Sequence, residues 1–563
     1  MDSIRKPARW LLLLSALAML AAACGGGATE EETEGTGSDT ESEAAEPTEA
    51  ESEAADGGEP AEGGTVVFGA DQEPAVMMPI TTSGNLFATS IITTPILEGA
   101  YEVLPDFSYA PQLLADEAEV SEDGTEVTYT LLDEATWSDG EPISADDLIF
   151  TYETYNNEEF DIASRAGYDL ITKAKKVDDK TATFTFKEPF APYKSLFTPV
   201  LPKHVLEGEN IDKVWNNEIT VASGPFEFDK WTKGTDATIK RNENYWGDKA
   251  ALDEIIFRFI PDSNSQVQAL EGDEIDMMYP QPQVDLVEQV AKLDGVKTES
   301  NAGTVWEHLD FNFKVPPLDK DYVRKAIAFG IDREAIIERL IKPINPEAAP
   351  LNNTIYMNNQ AEYEDHYGTY TFDPAAAEKL LTDNGCTKGD SGIYECDGMP
   401  LSFRYATTTG NEARELQQEV VQAQLKEIGI EIKPANEDPD AMFGKTLPAG
   451  KKGAWDIINF AWVGSPDPFG GNTIYICDGD LNEQSYCNED VTDLINKTNT
   501  LVDPAERAAA YNEADALMAE DLPIFPLYQK PTFFAYKDTI QGVQDNPTQF
   551  GPTWNAGDWS LSE

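Results

Sequence analysis

At 563 residues the chain is longer than one hydrophobic core usually organises, so two or three lobes are expected. Its 40 Lys and Arg against 103 Asp and Glu give a net charge of −63, which excludes nucleic-acid binding, because phosphate contacts need clustered basic side chains. Only three histidines occur, His204, His308 and His366, without a His-Glu-x-x-His pair, and this argues against a metallohydrolase.

Arg5, Lys6 and Arg9 precede an apolar run from Trp10 to Met19, followed by Leu20-Ala21-Ala22-Ala23-Cys24 and three glycines. The run falls short of the roughly 20 residues a membrane-spanning helix needs, so residues 1–23 read as a bacterial export signal. Small residues before Cys24 resemble a lipobox, with Ala21 where that pattern prefers Leu, and Cys24 is the expected lipidation site. Residues 25–64 contain no aromatic and no basic residue. Such a segment cannot bury enough apolar surface to order itself, and 24–64 is expected to be an extended acidic tether.

A short β-type run at 65–70 opens the body and leads into a loop that ends at Asn85-Leu86-Phe87. After a β-rich stretch at 126–132, Ser144 reads as the N-cap of a helix, with Asp146 and Asp147 in its first turn and Leu148, Ile149, Tyr152 and Tyr155 at helical spacing. The alternation at 181–186 and 237–241 predicts half-buried antiparallel strands. Strand 255–260, helix 263–271 and strand 276–279 then predict an α/β lobe. In the second half, helices are expected at 319–340, 373–381, 411–428 and 504–522, with strands at 401–405, 430–433 and 455–460. The fold class is α/β, in several lobes.

Cys386, Cys396, Cys477 and Cys487 form an even set in an exported chain, where disulfides are the natural reading. Of the three possible pairings, the two spacings of ten across turn-rich sequence favour two local clips. A zinc site is the alternative, against which stands the absence of Cys-x-x-Cys spacing. Gly444-Lys445-Thr446 lacks the upstream glycine of a phosphate loop, Pro439 standing there instead. Asp478, Asp480, Asn482 and Glu489 echo a calcium loop, but Glu483 occupies its glycine position. No nucleophile elbow is present. Metal, cofactor and enzyme readings therefore find no anchor. Tryptophans beside glycine and proline (Trp306, Trp455, Trp462, Trp554, Trp559) suit a ligand cleft, and each equally suits packing within its own lobe.

Several stretches in order carry a family resemblance: Trp137-Ser138-Asp139-Gly140, Ala222-Ser223-Gly224-Pro225-Phe226-Glu227-Phe228, Arg241-Asn242-Glu243-Asn244-Tyr245-Trp246-Gly247, Ile260-Pro261-Asp262, Leu270-Glu271-Gly272-Asp273, Val323-Arg324-Lys325-Ala326 and Gln424-Leu425-Lys426-Glu427-Ile428-Gly429-Ile430. In them the chain resembles the extracellular solute-binding proteins of peptide and nickel importers, over nearly everything after the tether.

The resemblance implies a three-lobed clamp of the periplasmic-binding-protein type (class II, cluster C). Lobe I would comprise 65–110, 222–312 and 532–563, lobe II 111–221 and lobe III 313–531, with hinges near 312–317 and 528–532. The implied ligand contacts are Trp462, Val463, Gly464, Ser465, Asp467, Tyr405, Phe87 and Trp306. Ser465 stands where peptide-binding relatives place an Asp that pairs with the peptide's amine, and a neutral hydroxyl is a weaker partner for that charge. The implied function is capture of a peptide or peptide-like solute for an ABC permease and its ATPase. The protein would be a monomer on the outer face of the cytoplasmic membrane, touching the bilayer only through its anchor and needing no cofactor. Alternatives are a non-peptide solute such as an oligosaccharide or metal chelate, or a chemosensory or adhesive lipoprotein.

Overall fold

The computed structural model describes residues 60–562, so the export signal, Cys24 and most of the tether lie outside the described residues. Lobe I is built on a seven-stranded mixed sheet, in spatial order Val296–Glu299, Phe534–Lys537, Met277–Met278, Thr65–Ala70, Glu254–Phe259, Asp236–Arg241 and Phe226–Thr232. Thr65–Ala70 runs parallel to both of its neighbours. Its Phe68 is buried between Phe257 and Phe534, with ring centroids 5.6 and 6.3 Å away.

Lobe II is a four-stranded antiparallel sheet, Glu119–Val120, Glu126–Thr130, Thr181–Phe186 and Ile171–Lys176 in spatial order, and it shares a continuous apolar core with lobe I. The alternation of 181–186 buries Ala182, Phe184 and Phe186 on one face. Helix Ala145–Asn156 begins at Ser144 in a capping box with Asp147.

Lobe III carries a five-stranded sheet in the order Glu431–Pro434, Ser402–Ala406, Ile457–Val463, Ala302–Phe311 and Ile524–Pro531. Helix Glu412–Glu427 is capped by Asn411, and Pro504–Asp521 by Asp503. The expected helix at 319–340 is two helices, Asp321–Phe329 and Arg333–Leu340. Gly330 ends the first where a side chain would strike Ile428 and Leu425, and the Asp332 carboxylate accepts the Ala335 amide to start the second.

Strand pairing also corrects the first hinge. Ala302–Phe311 pairs with Ile457–Val463 and Ile524–Pro531, so it belongs to lobe III, and the chain crosses from lobe I at residues 299–302 rather than at 312–317. The return crossing lies between Pro531 and Phe534, beside the expected 528–532. The two crossings touch: the Thr532 amide donates to the Asn301 carbonyl at 2.9 Å, and the Asn301 amide to Thr532 Oγ1 at 3.0 Å.

Cys386 and Cys396 lie with sulfurs 2.03 Å apart, and Cys477 and Cys487 with sulfurs 2.10 Å apart, which is the pairing into two local clips. Cys477, Cys487 and Glu489 form a cluster of possible metal ligands among the described residues, but sulfurs bonded to each other offer no thiolate to a zinc ion. Each clip closes a ten-residue separation, and loop-closure entropy assigns it about 2–3 kcal/mol. The double substitution Cys386→Ala/Cys396→Ala is expected to lower the stability of lobe III by that amount in a denaturant titration, and an unchanged midpoint would show the clip to be dispensable.

His366 Nδ1 lies 2.7 Å from Oδ2 of the fully buried Asp515, whose other oxygen accepts the Thr354 amide. The bond to Asp515 raises the imidazole above its ordinary 6.5, with burial opposing. The stabilisation is complete below about pH 6.5 and is lost as pH rises through the raised value. Melting temperature should therefore fall with alkalinity from that point, and His366→Asn should flatten this part of the profile. An equally steep decline in the variant would assign the slope to other groups. No helix among the described residues is long and apolar enough to cross a membrane.

A candidate ligand cleft between two sheet edges

Strand direction fixes which edges of the two large sheets face each other. In lobe III, Ser402–Ala406, Glu431–Pro434, Ile457–Val463 and Ile524–Pro531 all point the same way, with Ala302–Phe311 reversed between the last two. Their carboxyl ends, Ala406, Pro434, Val463 and Pro531, define one edge. In lobe I the carboxyl ends of Thr65–Ala70, Glu254–Phe259, Met277–Met278 and Val296–Glu299 define another. One crossing leaves from Glu299 and enters at Ala302, and the other leaves from Pro531 and enters at Phe534. Carboxyl edge is thus tied to carboxyl edge, which is where open α/β sheets bind ligands.

The lobes also meet away from the crossings. The ring of Phe469 in lobe III stands edge-on to Phe190 of lobe II at 5.6 Å, and the Ala191 amide donates to the Asn499 carbonyl at 3.2 Å. A cavity of about 410 Å³ lies against the first crossing, lined by Asp106, Asn301, Asn359, Gln544 and Asp545 among others.

The segment 462–467 follows the lobe III edge. Trp462 lies parallel to His308 at 6.1 Å and edge-on to Phe460 at 5.0 Å, and its buried indole N–H has no hydrogen-bond partner among the described residues. Val463 is 58% exposed, unusual for a large apolar side chain. The Gly464 amide donates to the Thr304 carbonyl at 2.8 Å, and a side chain on Gly464 would press against Met357 at 3.2 Å.

The hydroxyl of Ser465 donates to the carbonyl of Asp467 within the same loop. The Asp467 carboxylate takes both arms of the Arg507 guanidinium, at 2.5 and 2.8 Å, and also accepts the Phe469 amide at 2.9 Å. Across the cleft, Phe87 starts helix Phe87–Thr93, is 41% exposed and packs against Tyr279 with centroids 5.9 Å apart.

Two expected contacts take a different place. Tyr405 and Trp306 are buried in the interior of lobe III, Tyr405 within the core under helix Glu412–Glu427 and Trp306 directly opposite Trp462 in the strand register. They support the edge from within.

Sequence reasoning passed over a buried charge cluster behind this edge. Arg414 Nε donates to both oxygens of Glu307 at 3.0 Å, its Nη2 lies 2.9 Å from Oε1, and Asn459 Nδ2 donates to Oε2 at 3.0 Å. Burial alone would raise the Glu307 carboxyl, but the charges of Arg414 and then Lys530 hold it below its usual value. Both residues left a trace in the sequence. Arg414 is a cation in the first turn of a helix, where the backbone dipole disfavours it, and Lys530 is the one charge in the strand Ile-Phe-Pro-Leu-Tyr-Gln-Lys-Pro.

The chain is similar to known proteins over most of its length. A family model described as bacterial extracellular solute-binding proteins, family 5 Middle, matches residues 108–480. The chain is 25% identical over 523 residues to the oligopeptide-binding protein AppA of Bacillus subtilis (strain 168), covering 90% of this chain and 93% of that one. It is likewise 25% identical over 521 residues to the dipeptide-binding protein of Escherichia coli (strain K12), covering 86% and 92%. Among solved structures, the periplasmic EDTA-binding protein EppA superposes with a TM-score of 0.80 at 28% identity, covering 90% of this chain and 98% of that one.

Proposed function

The chain belongs to the bacterial extracellular solute-binding proteins of family 5, and from that membership we propose that it captures a peptide or peptide-like solute between lobes I and III and delivers it to an ABC permease and its ATPase. Its relatives include proteins named as oligopeptide- and dipeptide-binding. The observation that carries the reading is the pair of facing carboxyl edges joined by two adjacent crossings, a geometry that encloses a ligand when the lobes rotate about the crossings. A lipid on Cys24 and the acidic tether would hold this body outside the cytoplasmic membrane, and the work is binding rather than turnover.

A non-peptide carboxylate or chelate is the second reading. It is favoured by Ser465, whose hydroxyl is turned into its own loop, and by a similar structure named as EDTA-binding. Native mass spectra of the protein purified from its host, before and after mild denaturation, test both. A ladder of released peptide masses supports peptide capture, a single non-peptide mass supports the second reading, and turnover of any released ligand would overturn both.

A further inference from the structure

The clearest chemical imbalance on the cleft edge is an unpaired cation. Lys530 is the penultimate residue of strand Ile524–Pro531, two positions before Thr532 at the return crossing. Its neighbour Gln529 turns the other way, donating to the Gly303 carbonyl at 2.9 Å and to Asn359 at 3.0 Å. Lys530 sits on the side of Glu307 and Arg414, whose charges it feels, and it is partly exposed.

Glu307 cannot serve as its partner. A carboxylate has about four lone-pair sites, and those of Glu307 are taken by Arg414 and Asn459. No carboxylate among the described residues lies within 4.0 Å of the Lys530 ammonium, and no acceptor there receives a hydrogen bond from it. Elsewhere in lobe III, Arg507 is matched by Asp467, and the buried Arg324 and Arg333 are met by backbone carbonyls and, for Arg333, the Asn352 amide oxygen, whereas Lys530 has neither kind of acceptor among the described residues. At the cleft edge two cations share one anion, in a chain whose net charge is −63. A charge partly drawn out of water is stabilised by an anion that replaces the solvent it has lost. Burial first, and Arg414 more weakly, push the ammonium below its ordinary value against the opposing pull of Glu307, and an arriving anion would act in the direction of Glu307.

In the turn that follows Val463, the complementary charge for an amine is missing. Asp467 is neutralised by Arg507, and Ser465 is a neutral hydroxyl bonded within its loop. We propose that Lys530 is the anion anchor of the cleft and that the captured solute is held by a carboxylate rather than by an amine. This rests on the solute-binding reading above and narrows it to acid-bearing ligands.

The test offers the full-length protein a tryptic digest of casein in three forms, untreated, N-acetylated, and methyl-esterified at every carboxyl, and weighs what is retained by native mass spectrometry. Retention is expected from the first two and at least tenfold less from the third. Lys530→Met should lower retention of the untreated digest at least tenfold without lowering the melting temperature, and Lys530→Arg should restore most of it. Equal retention of the esterified digest would overturn the anchor. If no digest is retained, the peptide reading fails, and calorimetry with citrate and EDTA decides the anchor by itself. Binding that Lys530→Met weakens tenfold supports it, and absence of binding by either acid, or binding indifferent to the substitution, overturns it.

Discussion

Arg414→Met is expected to destabilise lobe III by about 3–5 kcal/mol, the usual cost of removing one partner from a buried ion pair. Its side chain is 6% exposed and that of Glu307 2%, so the carboxylate left behind has no route to water. Asn459 would still donate to it, but one neutral amide replaces little of a guanidinium that meets both oxygens. The loss should show in guanidinium denaturation as an early transition of lobe III, read separately from lobes I and II because a chain of several lobes need not unfold in one step. The double variant Arg414→Met/Glu307→Gln should recover much of the loss, since it removes the stranded charge along with its partner. A single-variant loss below about 1 kcal/mol would mean that Lys530 swings in to replace the guanidinium.

Asp467→Ala should have a comparable effect on stability and a larger one on binding. Arg507 is 13% exposed and is held by Asp467 through two hydrogen bonds, so truncation strands a guanidinium close to Tyr511 and costs about 3 kcal/mol. The same carboxylate receives the Phe469 amide and so fixes the turn that presents the Phe469 ring to Phe190 of lobe II. With that turn loosened, lobes II and III lose a contact, and affinity for a ligand held between the lobes should fall by about tenfold or more. Small-angle scattering with and without ligand, beside calorimetry, checks this. If Asp467→Asn kept full stability and lost only the binding of amine-bearing ligands, Asp467 would be a ligand contact and its pairing with Arg507 incidental.

The sequence was most legible where one residue type enforces one backbone choice. Ser144 announced a helix start and opens that helix in a capping box, and the helices expected at 263–271, 411–428 and 504–522 begin at caps supplied by Asp262, Asn411 and Asp503. The alternation in Thr181–Phe186 gave both the strand and the face that it buries. The ten-residue cysteine spacings gave the pairing, because a turn returns the chain on itself between them. The apolar periodicity of 319–340 hid a break, since Gly330 and Asp332 fit a helical stripe as residue types while ending one helix and starting the next.

The hinge was misplaced for a different reason. Local pattern identifies a strand but not its partners, and Ala302–Phe311 is assigned to lobe III only by pairing with strands that begin at Ile457 and Ile524, far along the chain. The cleft was half visible. Trp462 to Asp467 stood out as an aromatic and glycine-containing turn, whereas Glu307, Arg414 and Lys530 are three single charges that only the sheet and one helix bring together. Tyr405 and Trp306 show the converse, aromatic residues whose type suits a ligand and whose place in the register puts them in the core.

Because both crossings join sheet edge to sheet edge, the groups named at the cleft sit at element ends, as Val463, Lys530 and Phe87 do, or on the turns beyond them, as Ser465 and Asp467 do. Turns at the rim can change length and composition while the strands that carry them keep their packing. One scaffold can therefore be retuned among chemically unrelated solutes by a few substitutions at its rim, and Ser465 and Lys530 are two positions where this chain would bear the marks of such a change.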